Sequence, residues 1–78
     1  MNNIRRKRIE KLMSKLRDIN EDIDGILNDE MEAFDNLPET IQIHYSERGQ
    51  AMQDAIGELE NAFESISDAI DALETAKE

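Results

Sequence analysis

Few residues of this 78-residue chain are of types that do chemistry, and their spacing does not suit it. His44 is the only histidine, and there is no cysteine. A zinc site needs several nitrogen or sulfur donors converging on one point, so a lone histidine is a poor start. Without cysteine there is no thiolate nucleophile and no disulfide framework. Glu30 falls in an apolar helical pattern, as do the inward carboxylates of di-iron bundles. That chemistry takes several glutamates and a Glu-x-x-His pair, which this chain lacks. Asp22-Ile23-Asp24-Gly25 and Asn28-Asp29-Glu30 do not space as a calcium loop. No phosphate loop, nucleophile elbow or zinc motif occurs. These residues describe a non-enzymatic chain with no catalytic residue, cofactor or metal.

The charged residues say more. They make up 36% of the chain, which suits a solvated helical protein better than one with a large core. The net charge is −10, unevenly spread. Residues 1–17 carry seven of the nine basic side chains and one acid, for +6. Residues 18–78 carry two basic and eighteen acidic side chains, for −16. Arg5, Arg6, Lys7, Arg8, Lys11 and Lys15 form a candidate basic patch of the kind that contacts phosphates. No aromatic residue interleaves it, and pairing with the chain's own acids competes for it, so nucleic acid is not the expected partner. The acidic portion offers the converse: rows of carboxylates on a rod can imitate a nucleic-acid backbone and occupy a basic groove on another protein.

Helices must position all of this. From Met52 onward the large apolar residues are Met52, Ile56, Leu59, Phe63, Ile66, Ile70 and Leu73, in alternating steps of four and three. That alternation is an a/d heptad seam. Alanines recur every seven residues at 55, 62, 69 and 76, widening the apolar stripe. The first half carries Ile9, Leu12, Leu16, Ile19, Ile23 and Ile26 in similar steps, then Leu27, Met31 and Phe34 after a slip at Glu30. The slip predicts a local relaxation of the supercoil near residues 25–30. Leu37-Pro38 ends the first helix, because the residue before proline is driven from the α region. One helix over about 4–36, a connection over about 37–45 with one possible helical turn, and a second helix over about 46–77 with Ser46 as N-cap are expected.

The two seams match when antiparallel. Pairing residues whose numbers sum to 85 or 86 sets Ile9 against Ala76, Leu12 against Leu73, Leu16 against Ile70 and Ile19 against Ile66. It also sets Ile23 against Phe63, Ile26 against Leu59 and Phe34 against Met52. The same register lays the basic segment beside Asp68, Asp71, Glu74 and Glu78. The connection is too short for a parallel arrangement, since a helix of ~30 residues is roughly 45 Å long. The expected fold is an all-α antiparallel helical hairpin, coiled-coil-like, in one domain. A lone hairpin covers only part of so wide a stripe. The expectation is a homodimer forming a four-helix bundle; the rival is a hairpin docked on another protein.

The connection itself carries a pattern. Asp35-Asn36-Leu37-Pro38-Glu39, then Gln42, Ser46-Glu47-Arg48-Gly49, Met52 and Leu59-Glu60 together resemble short uncharacterised coiled-coil proteins of phages and mobile elements of Gram-positive bacteria. The resemblance spans about half the chain. It implies a small accessory protein of a mobile element and no particular activity. His44, Tyr45 and Arg48 are candidate contact residues there, unless the connection serves only to close the hairpin, with Ile41 and Ile43 over the core end. No apolar run nears the ~20 residues that cross a bilayer. The basic start is followed by no apolar core of a secretory signal. A cytoplasmic protein with no membrane association is expected. It would act through self-association and protein contact, with nucleic-acid mimicry as the alternative.

Overall fold

The computed structural model describes residues 1–38 and 47–78. Two helices account for nearly all of them: α1, Asn3–Asp35, and α2, Glu47–Ala76. They pack side by side and antiparallel in a rod of 58 × 15 × 13 Å. No strand occurs among the described residues.

Local chemistry sets the ends. Asn2 is the N-cap of α1, and its side-chain oxygen accepts from the backbone N–H of Arg5 at 2.9 Å. That cap matters because the first turn of α1 holds no acid to meet the positive end of the helix. Asn36 closes the other end, its N–H donating to the carbonyl of Glu32 at 3.0 Å. The chain leaves the helix one residue before Leu37-Pro38, as the proline requires. α2 opens with Glu47 in its first turn, where an acid is favourable. The expected turn after Pro38, the Ser46 cap, and residues His44 and Tyr45 lie wholly or largely outside the described residues.

The register agrees with expectation. Cross-helix bonds join Asn20 to Phe63 and Ser67, and Arg6 to Lys77, and an ion pair joins Glu10 to Lys77. Residue numbers across these contacts sum to 83 or 87, centred on 85.

The face that α1 turns inward is the expected one only in part. Arg6, Ile9, Met13, Leu16, Asn20, Ile23, Leu27, Glu30 and Phe34 are buried or half-buried, whereas Leu12, Ile19 and Ile26 are exposed. The inward residues step by three and four without interruption from Arg6 to Phe34. The inward pattern needs no slip at Glu30. The reason lies in how far each column reaches. The line through Met13, Asn20 and Leu27 continues to Phe34, which is half-buried. The line through Leu12, Ile19 and Ile26 continues only to Ala33. α2 packs on the line that stays apolar at its end, even at the cost of taking in Asn20.

The core is thin. Among the described residues, only Met13 and Leu27 are buried large apolar side chains. The α2 seam from Met52 to Leu73 is half-buried throughout. Gly49, on the same seam, is buried.

Candidate interaction surface

Two sides of the hairpin differ in character, and Asn20 tells them apart. Its amide Nδ2 donates to Ser67 Oγ at 3.0 Å and to the Phe63 carbonyl at 3.3 Å. Ser67 Oγ donates in turn to the same carbonyl at 3.0 Å. The Asn20 residue is 7% exposed, and its Oδ1 is buried with no hydrogen-bond partner. An open cleft of about 310 Å³ lies on this side, lined by Arg17, Asn20, Glu21, Asp24, Phe63 and Ile70. This is the polar side, where the groove between the helices carries charge and amide.

The opposite side is apolar. On a heptad wheel Ile9, Leu16 and Ile23 lie across the seam from Asn20, and Leu12, Ile19 and Ile26 lie one column beyond them. On α2 the column beyond Leu59, Ile66 and Leu73, away from Ser67, is Ala55, Ala62, Ala69 and Ala76. Because Asn20 meets Phe63 and Ser67, the isoleucine column and the alanine column must emerge on the same side. Leu12 is 50% exposed, Ile19 48% and Ile26 55%. Three large aliphatic side chains at seven-residue spacing, two turns apart, thus stand beside a row of alanines. A smaller cleft of about 230 Å³ continues this side to the chain start, among Met1, Arg5, Arg8, Ile9 and Leu12.

The total exposed surface is 5876 Å². A compact monomer of the same mass exposes about 4,900 Å². Each partner in an interface of standard size covers about 800 Å².

The candidate basic patch is not paired as expected. Arg6 is half-buried and donates from Nε to the Lys77 carbonyl at 2.8 Å and from a terminal nitrogen to Asn3 Oδ1 at 3.3 Å. Arg5, Lys7, Arg8, Lys11 and Lys15 are exposed. Among the described residues none of them pairs with Asp68, Asp71, Glu74 or Glu78. The ion pairs there run from Lys77 to Glu10 at 3.9 Å and to Glu74 at 3.5 Å. Heptad positions explain the difference. The basic residues other than Arg6 and the four acids all fall outside the seam on their own helices, so proximity in register does not become contact. Arg48 is exposed in the first turn of α2.

No cluster of metal-binding side chains occurs among the described residues, and no described helix is long and apolar enough to cross a membrane. Two features escaped the reading of the sequence. Asn2 carried the ordinary signal of an N-cap, an asparagine immediately before a helical run. Asn20 carried a weaker one, a single polar residue in an otherwise regular three-and-four pattern. Comparison of the chain with protein-family models, with curated proteins and with solved structures finds no match.

Proposed function

We propose that this chain is a non-enzymatic helical-hairpin protein that works by self-association and protein contact. One observation carries the reading: Leu12, Ile19 and Ile26 stand exposed beside a row of alanines, on a hairpin in which, among the described residues, only Met13 and Leu27 are buried large apolar side chains. Contiguous apolar surface of this kind is characteristic of interaction sites. A homodimer with a four-helix core covers it. The pattern around Leu37-Pro38 and Ser46-Glu47-Arg48-Gly49 favours an accessory protein of a phage or mobile element as the setting, acting in the cytoplasm. The test is solution mass by light scattering from low to high micromolar concentration at two salt levels. Two chains per particle is the expected result. One chain per particle throughout, with full helicity, refutes self-association.

A second reading, imitation of nucleic acid, is favoured by the charge at the loop end. Residues 19–38 and 47–65 carry twelve acidic side chains and one basic. On that reading the protein competes with DNA for a basic partner. Direct, salt-sensitive binding of the protein to random DNA would instead assign contact to Arg5, Lys7, Arg8, Lys11 and Lys15 and sink the mimic.

A further inference from the structure

We propose that the apolar side is covered by a second copy of this chain, laid antiparallel so that α1 crosses α1 of its partner with the dyad at Ile19. The inference rests on the self-association reading and specifies its geometry. Three independent features meet at that residue. Ile19 is the middle residue of α1, Asn3–Asp35. It is also the middle of the exposed stripe, so a dyad there sets Ile19 on Ile19 and Leu12 on Ile26 in both directions. The charge of α1 also reverses there. Before Ile19 the helix holds seven cationic and two anionic side chains; after it, none and seven.

The column beside the stripe makes the fit specific. Arg8, Lys15, Asp22 and Asp29 recur every seven residues on its outer edge, and all are exposed. Two cations are followed by two anions. Under the dyad Arg8 lies against Asp29 of the other copy, and Lys15 against Asp22, each twice per dimer. The column is antisymmetric about its centre, which an antiparallel homodimer uses and a parallel one cannot.

Whole-molecule charge points the same way. Residues 1–18 and 66–78, the open end of the hairpin, carry eight cationic and six anionic side chains. The loop end carries the one and twelve noted above. A face-to-face dimer with its dyad along the rod stacks two loop ends of net −11 on each other. The antiparallel dimer stacks each on an open end of net +2.

The chain has no cysteine, so single cysteines report the geometry without background. The Ile19→Cys protein is expected to form a disulfide-linked dimer under mild oxidation. The Leu12→Cys protein alone is not, because its two copies lie fourteen residues apart along the axis, roughly 21 Å. Mixing Leu12→Cys with Ile26→Cys restores cross-linking. A particle of two chains in which Ile19→Cys fails to link, or Leu12→Cys links as fast, overturns this geometry and leaves self-association intact. A particle of one chain overturns both and hands the apolar side to a different protein. Charge gives a second, covalent-free test. The double variant Arg8→Asp/Lys15→Asp is expected to weaken dimerisation at least about tenfold at low salt, while circular dichroism reports an intact hairpin. Adding Asp22→Lys and Asp29→Lys in the same chain reverses the column and restores the affinity to within about threefold. No loss in the double variant, or no recovery in the fourfold one, overturns the proposal.

Discussion

Replacing Asn20 with leucine is expected to stabilise the hairpin, although it removes two hydrogen bonds. The bonds from Nδ2 to Ser67 Oγ and the Phe63 carbonyl are worth about 1 kcal/mol each in net terms. Against that stands the orphaned Oδ1, whose desolvation costs about 1–3 kcal/mol. Leucine removes that penalty and buries an apolar side chain worth about 1.5–3 kcal/mol. Nothing is orphaned in exchange, since Ser67 Oγ keeps its bond to the Phe63 carbonyl at 3.0 Å. An open cleft lies beside Asn20. The net is about 0.5–4 kcal/mol in favour of Asn20→Leu. For a domain of this size each kcal/mol raises Tm by about 4–8 °C. Thermal unfolding followed by circular dichroism reads it, at one fixed protein concentration, because association also stabilises. Ser67→Ala supplies the cross-check. It is expected to cost about 1 kcal/mol in the native background and less in the Asn20→Leu background. A fall in Tm for Asn20→Leu, or equal costs of Ser67→Ala in both backgrounds, refutes the reasoning: Oδ1 would then be satisfied, or the bonds not coupled.

Met13 is 1% exposed, and Met13→Ala is expected to cost about 2–5 kcal/mol, enough to abolish the cooperative thermal transition of so thin a core. Gly25 and Gly57 are helical positions where an added Cβ meets nothing within 4 Å. Gly25→Ala and Gly57→Ala should each raise stability by about 0.5–1 kcal/mol, read as a shift in urea midpoint with unchanged slope. Asn2→Ala removes the only side-chain cap of α1 and should cost about 1 kcal/mol, with faster amide exchange at Arg5.

The hairpin was legible because both helices obey one alternation and a single antiparallel register matches them. The inward face of α1 was not, because that helix carries three adjacent apolar columns and only two fit against α2. Counting aliphatic residues selects Leu12, Ile19 and Ile26 over a line broken by Asn20. What decided the matter was the end of each line, Phe34 against Ala33, together with an amide that finds Ser67 and a carbonyl across the groove. The basic segment misled for a related reason. Register predicts which residues share a level along the rod, whereas contact also requires that at least one of them reach the seam, as Lys77 does opposite the exposed Glu10. Lys77 makes the ion pairs found at that end, across to Glu10 and along α2 to Glu74, in place of the pairs expected of residues 5–15.

The Lys77 clasp also sets the order in which the rod opens. Asn20 and Phe63 are held together across 43 residues of chain, Arg6 and Lys77 across 71. Closing the longer span costs more chain entropy, though by well under 1 kcal/mol. The larger difference is in what secures each level: Met13, Asn20 and Leu27 are buried further along, while the open end has one guanidinium on a carbonyl and one ammonium between two carboxylates. The molecule is therefore expected to unzip from its termini, with protection in amide hydrogen exchange rising along α1 from Arg6 toward Leu27. Salt loosens the first step more than the rest, since it weakens the pairs on Lys77 and leaves the buried aliphatic contacts untouched.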